Sequence, residues 1–145
     1  MAILQLSVFA ENTQGALIHI TKLLADAGVD SRALSLADTK EYGILRLIVS
    51  DHAEASKVLS DDGYLVRTSP VVGVAMSDEV GALHHILYTL DQNNINIEYM
   101  YAFISRSSEK ACLILRTEQS EAAEQALLKS GAVLLCAEDV ETHLG

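Results

Sequence analysis

The amino-acid sequence predicts an α+β fold in which one structural unit occurs twice. A Gly-Ala-Leu sequence, followed by a His-Ile pair, begins at Gly15 and again at Gly81, 66 residues later. Five further residues of the first half return 68 positions later, as Leu113, Leu115, Ala123, Leu127 and Gly131. Because a repeat of this length gives both copies the same pattern, it predicts two domains, residues 1–69 and 70–145. The only proline, Pro70, lies at their junction.

The first half contains six elements in the order strand, helix, strand, strand, helix, strand. Its strands alternate apolar and polar residues, and its helices carry apolar residues at helical spacing. Gly28 ends the first helix, and residues 40–43 form a hairpin turn. The predicted elements are residues 4–9, 16–27, 29–36, 44–49, 53–60 and 64–68.

The second half repeats this order, with two extra residues in the turn over residues 105–110. Its predicted elements are residues 72–75, 81–92, 95–104, 111–117, 121–128 and 133–136. Each half thus has the βαββαβ order of a ferredoxin-like domain, with two helices on one face of a four-stranded antiparallel sheet.

The second strand of the second half is apolar on both faces. One face carries Ile95, Ile97, Tyr99, Tyr101 and Phe103, and the other carries Met100, Ala102 and Ile104. Such a strand is normally buried on both sides, which predicts cover by the other copy or by a second subunit. The alternative is a long core strand with a few exposed aromatic residues.

Composition excludes several classes of function. The net charge of −10 disfavours a nucleic-acid partner, because it repels phosphate backbones. No apolar segment reaches the length of a membrane span, and the N-terminus lacks the basic start of a secretory signal, so we expect a cytoplasmic protein without membrane contact. Cys112 and Cys136 lack the spacing of a metal site, and no catalytic set of side chains repeats. The sequence therefore predicts no metal, no cofactor and no enzymatic activity.

The turn before the first helix of each half is the best candidate site. A helix N-terminus offers unpaired N–H groups and partial positive charge, which suit a carboxylate. Gly15 and Gly81 would let a small ligand approach the backbone closely. Asn12 and Asp78, just before the helices, could accept from an ammonium group. The alternative is that both are simply helix N-caps.

These residues resemble the ACT domain, a ligand-binding regulatory module of amino-acid metabolism. Its Asp/Asn-x-Pro-Gly-x-Leu turn is matched by residues 12–17 and 78–83. Its Gly-hydrophobic-Asn-Ile sequence is matched by residues 28–31 and 94–97. The resemblance covers about residues 4–141 in two copies, and is strongest to stand-alone proteins of two ACT domains without a catalytic domain.

The resemblance implies that the turn of one domain and the polar residue opening the second strand of its neighbour enclose an amino acid. The implied ligand-binding residues are Asn12, Gln14, Gly15, Ala16 and Leu17 with Asn96, and Asp78, Val80, Gly81, Ala82 and Leu83 with Asp30. Gln14 and Val80 replace the family's proline, and Asp30 replaces its usual asparagine. We therefore expect two unequal sites.

The function implied is a non-catalytic, allosteric regulatory protein that senses a free amino acid at the interface between its ACT domains. Tyr99 and Tyr101 favour a hydrophobic or aromatic amino acid. A homodimer or a metabolic enzyme is the expected macromolecular partner. The alternative is a ligand-free scaffold that associates with itself or with an enzyme. A phosphatase-like activity would need an arginine in the first turn, and neither copy has one.

Overall fold

The computed structural model describes residues 3–38, 41–104 and 111–136. The chain divides into two compact units, Leu4–Ser69 and Pro70–Gly145, with Met1–Ile3 belonging to the second. Four helices and seven strands occur among the described residues. The elements are, in chain order, β1 (Ile3–Glu11), α1 (Ala16–Asp26), β2 (Ser31–Asp38), β3 (Tyr42–Val49), α2 (His52–Asp61), β4 (Leu65–Met76), α3 (Ala82–Gln92), β5 (Tyr99–Ile104), β6 (Ala111–Arg116), α4 (Ser120–Lys129) and β7 (Leu134–Leu135).

The first unit has the predicted ferredoxin-like order. In its sheet β3 pairs antiparallel with both β1 and β2, and β4 is the other neighbour of β1. Alternate residues of β1 and β3 face α1 and α2, because side chains alternate along a strand. They form the core Leu6, Val8, Ala10, Ile20, Leu24, Val29, Leu45, Leu47, Val49, Ala55 and Leu59.

The second unit repeats this arrangement. β6 pairs antiparallel with β4 and β5, and β7 pairs with β4 on its other side. Its core comes from the equivalent positions Val72, Val74, Ile86, Leu90, Ile95, Leu113, Leu115, Ala123, Ala126 and Leu127. The predicted α+β, ferredoxin-like class is therefore confirmed for both units.

The strand predictions around Pro70 were wrong in one respect. Residues 64–68 and 72–75 were expected to form separate strands, but β4 runs without interruption from Leu65 to Met76. Proline is compatible with this strand because its fixed φ lies in the extended region, and only its N–H is lost from the ladder.

Two residues of the predicted hairpin turn over residues 40–43, Tyr42 and Gly43, belong to β3. Gly43 lies in β3, opposite Asp38 of β2 and Ala10 of β1, and Tyr42 lies opposite Glu11. Lys40 and the turn over residues 105–110 lie outside the described residues.

β5 begins four residues later than predicted, at Tyr99. In the irregular segment before it, the Asn96 N–H donates to the Gln119 Oε1 at 3.3 Å, and the Glu98 N–H donates to the Arg116 carbonyl at 2.9 Å. Ile95 lies in the core and Ile97 packs against it. The five residues from Ile95 to Phe103 therefore do not share one face.

Tyr99, Tyr101 and Phe103 lie on the sheet face away from the helices. They are opposite Arg116, Ile114 and Cys112, which alternate with the core residues of β6. Met100 and Ile104 lie on the helix side of this edge strand, yet they are 41% and 73% exposed. β5 is therefore only partly buried within this chain, and its cover by the other copy or by a second subunit stays a prediction. The edge strand β2 likewise exposes Leu34 and Leu36 beside the core residues of β3.

Candidate functional site

The turn between β1 and α1 is held by backbone hydrogen bonds. The Asn12 N–H donates to the Glu41 carbonyl at 3.1 Å, and the Thr13 carbonyl accepts from the Ala16 N–H at 3.3 Å. Gly15 is the N-cap residue, with φ of +90°. This left-handed conformation costs a residue with a Cβ about 1–2 kcal/mol, which explains the glycine.

The turn between β4 and α3 has the same geometry. Gly81 is the N-cap with φ of +92°, and the Ala82 N–H donates to the Glu79 carbonyl at 3.2 Å. No side chain caps α1 or α3. The alternative prediction that Asn12 and Asp78 are the N-caps was therefore wrong, since each lies three residues before the capping glycine. Both helices begin with amides that no side-chain cap occupies.

A groove of about 500 Å³, the first groove, lies beside the turn of the first unit. One wall is the end of β1 and the start of α1, and the other is the segment that follows α2. The lining residues are Phe9, Ala10, Glu11, Thr13, Ala16, Tyr42, Gly63, Tyr64 and Leu65.

A second groove of about 450 Å³ occupies the equivalent place in the second unit. It lies between the β4–α3 turn, the first two turns of α3, and the segment after α4. The lining residues are Ala75, Met76, Ser77, Asp78, Ala82, His85, Ile86, Ser130, Gly131, Ala132 and Val133. Because the grooves recur at equivalent positions, they follow from the shared backbone.

Three of the predicted site residues line these grooves: Ala16 in the first, and Asp78 and Ala82 in the second. The other predicted residues of these turns and helix starts do not line either groove. They are Asn12, Gln14, Gly15, Leu17, Val80, Gly81 and Leu83. The wall formed by the segments after α2 and α4 was missed. Its one signal in the sequence was the repeat of Gly63 as Gly131.

Asp30 and Asn96 occupy equivalent positions just before the second strand segment of each unit, and neither lines the first or the second groove. The Asp30 Oδ2 lies 3.1 Å from the Arg32 Nη1, and the Asp30 N–H donates to the Ser50 Oγ at 3.0 Å. The carboxylate that was expected to face a ligand therefore has a cationic partner in its own unit. The pairing of Asp30 and Asn96 with the turn of the other copy stays a prediction.

Beside the first groove, three side chains form the first-unit cluster: His19, Asp62 and Tyr64. The His19 Nε2 lies 2.6 Å from the Asp62 Oδ2, and the rings of His19 and Tyr64 have centroids 5.9 Å apart. Burial, and secondarily the Asp62 charge, raises the pKa of Tyr64, so its phenol stays neutral near neutral pH. In the second unit the equivalent residues are His85, Ser130 and Ala132.

Neither groove carries the groups of a metal or thiol site. No group of three or more His, Cys, Asp or Glu residues that could hold a metal occurs among residues 3–38, 41–104 and 111–136. Burial raises the pKa of the Cys112 thiol, which makes it a poor nucleophile. Within the same described part of the chain, no helix is both long and apolar enough to cross a membrane.

Comparisons with known proteins agree with the fold of the two units. A family model described as an ACT domain pair matches residues 1–143. Protein BT0572 from Bacteroides thetaiotaomicron is 34% identical, with 98% of this chain and 97% of that chain covered and a TM-score of 0.90. A search of curated proteins found no match.

More distant structures share the fold. The regulatory subunit of aspartate kinase from Thermus thermophilus, in its ligand-free form, is 16% identical over 88% of this chain and 91% of that chain, with a TM-score of 0.60. The same subunit from Thermus flavus is 17% identical over 88% and 92%, with a TM-score of 0.62.

Proposed function

This chain belongs to the ACT domain pair family, and from that premise we propose that it is a non-catalytic regulatory protein that binds a free amino acid. ACT domains generally bind amino acids for regulation. One observation supports the proposal above all others: each unit places a helix N-terminus without a side-chain cap beside a groove large enough to hold a free amino acid. Regulation of a metabolic enzyme in the cytoplasm, with that enzyme or a second copy as partner, is part of the proposal.

The helix starts supply what an amino-acid carboxylate needs. The first amides of a helix point out of its N-terminus, and the partial positive charge there stabilises an anion. At Gly15 and Gly81, apart from their chain neighbours, no heavy atom lies within 4 Å of the position that a Cβ would take. The backbone at these two glycines is therefore open to a ligand on that side.

The walls of the second groove favour an apolar ligand side chain. Met76, Ile86 and Val133 line it with apolar side chains, and Val133 is 64% exposed. Tyr99 and Tyr101 line neither groove. The proposal of a hydrophobic amino acid consequently rests on the groove itself and no longer on those two tyrosines.

Isothermal titration calorimetry of the protein against each common L-amino acid at millimolar concentration tests the proposal. We expect one or more amino acids to bind, and the variants Gly15→Val and Gly81→Val to weaken binding at their own turn. Leu128→Ala, at an exposed position of α4 that lines neither groove, is the control. The proposal fails if no amino acid binds, or if both glycine variants bind as the wild type does.

A second candidate function, an interaction scaffold, is favoured by the exposed apolar residues of the edge strands. Leu34 and Leu36 of β2, and Met100 and Ile104 of β5, are all more than two-fifths exposed. Edge strands of this kind readily pair with another chain. Sedimentation velocity separates the two functions, because the assembly of a scaffold should not respond to the amino acids that a sensor binds.

A further inference from the structure

The two grooves differ in their walls and not in their size. Their volumes are about 450 and 500 Å³, so volume alone does not favour either. The segment that follows the second helix of each unit differs at two residues beside the groove. Asp62 and Tyr64 of the first unit are replaced by Ser130 and Ala132 in the second.

The second groove presents both an acid and an imidazole. Asp78 lies on its turn wall, and His85 lies one helical turn into α3. Among the described residues, no hydrogen bond or ion pair of the His85 imidazole is found. Ser130 also lines the groove. Its hydroxyl donates to the Leu127 carbonyl at 2.8 Å, so this donor is already engaged at the C-terminal end of α4.

The first groove lacks this pair of groups. Among its described lining residues Glu11 alone is charged, so the first groove offers an acceptor for an ammonium group but no imidazole to donate to a carboxylate. The equivalent imidazole, that of His19, is 2.6 Å from the Asp62 carboxylate and does not line the groove. Tyr64 instead forms that part of the wall.

We propose that the second groove is the amino-acid site, and that His85 is its specificity-determining residue, donating an imidazole N–H to the ligand carboxylate. Asp78 then accepts from the ligand ammonium group, so that a zwitterion meets a complementary group at each end. This inference rests on the proposed function. The replacement of Asp62 and Tyr64 by Ser130 and Ala132 is what leaves His85 available.

NMR spectroscopy of the ¹⁵N-labelled full chain locates the occupied groove whichever amino acid binds. The probe is an equimolar mixture of the common L-amino acids at millimolar concentration. We expect amide shifts in residues 76–86 and 130–133, and none in residues 9–19 and 62–65. Shifts confined to the first groove, or equal in both, overturn the inference while leaving the proposed function standing. If no amide shifts, the proposed function itself has failed, and this inference with it.

Matched variants then test His85 directly. His85→Ala should weaken binding about tenfold or more, which is the effect of losing one charge-assisted hydrogen bond. His85→Gln, which keeps a donor, should lose less, and His19→Ala should bind like the wild type. Unchanged binding by His85→Ala overturns the role of this residue.

Exchanging the wall residues between the two grooves tests whether they determine that His85 is available to a ligand. Ser130→Asp with Ala132→Tyr should reduce binding at the second groove about as much as His85→Ala does. The reverse pair, Asp62→Ser with Tyr64→Ala, should release His19 from its contact with Asp62. It also serves as the matched control for the effect of such a double substitution on folding. If the variant with Ser130→Asp and Ala132→Tyr keeps the wild-type NMR spectrum and binds amino acids as strongly as the wild type, the proposal that these two positions free His85 is contradicted.

Discussion

The two units share a backbone down to the φ of a single residue, yet they surround equivalent grooves with different chemistry. Gly15 and Gly81 have nearly the same φ, at +90° and +92°. His19 and His85 also occupy equivalent helix positions, but only His19 is bound by a carboxylate of its own unit among the described residues. The comparison teaches that the repeat preserved the backbone of the turns and grooves while the side chains around them changed.

The largest effects should come from the core, where the units are most alike. Leu59 and Leu127 are equivalent and fully buried. We expect Leu59→Ala and Leu127→Ala each to lower the free energy of unfolding by about 3 kcal/mol, through lost burial and a residual cavity. Urea denaturation measures this, and the half-exposed Leu128 supplies the control Leu128→Ala. A loss below about 1 kcal/mol for either core variant would contradict the equivalence of the two cores.

The capping glycines should give a smaller and equal effect. Gly15→Ala and Gly81→Ala should each destabilise by about 1–2 kcal/mol, because the cost is the left-handed backbone and not a clash. Asparagine tolerates this conformation better, so Gly15→Asn and Gly81→Asn should cost less. Thermal unfolding monitored by circular dichroism checks both pairs. Equal costs for alanine and asparagine would show that φ is not the cause.

The second helices of the two units, α2 and α4, differ in their N-terminal caps. The Asp51 side chain caps α2 by accepting from the Glu54 N–H at 3.1 Å, whereas the equivalent Gln119 makes no side-chain cap on α4. Asp51→Ala should therefore cost about 1 kcal/mol of unfolding free energy, and Asp51→Asn should cost little, since it keeps an acceptor oxygen. Urea titration distinguishes them. If Asp51→Asn is as costly as Asp51→Ala, the charge and not the cap is responsible.

The first-unit cluster should contribute least to stability. The side chains of His19 and Asp62 are 50% and 42% exposed, so solvent screens their interaction despite the 2.6 Å separation. A double-mutant cycle with His19→Ala and Asp62→Ala should give a coupling of about 0.2–1 kcal/mol. A coupling above about 2 kcal/mol would mean that the pair is structural, and its proposed role of withholding His19 from a ligand would then be secondary.

Most of the fold could be predicted from the sequence, because helix and strand periodicities are local. The start of β5 could not. Residues 95–98 continue the alternation of the strand, but N–H groups in this segment bond to Gln119 and Arg116, which are distant in the chain. The N-cap prediction failed for a different reason: Asn12 and Asp78 have good capping side chains, and only the φ of Gly15 and Gly81 moves the cap three residues on.

Only one wall of each candidate groove, the turn before the helix, could be predicted from the sequence. The turn was visible as a short sequence repeated with its glycine. The opposite wall, residues 63–65 and 131–133, carries no motif, because its position depends on how α2 and α4 pack on the sheet. Family membership is now established, whereas the enclosure of a ligand by the turn of one copy and the polar residue of the other remains a prediction.

The exposed apolar residues of β2 and β5 have a consequence for how the protein behaves at different ionic strengths. Copies that each carry a net charge of −10 repel one another, and that repulsion opposes contact between the apolar edges. Added salt shortens the range of the repulsion, to about 8 Å at physiological ionic strength, and leaves apolar attraction in place. We therefore expect association to increase with salt, the opposite of an assembly held by ion pairs, and light scattering across a sodium chloride series would show it.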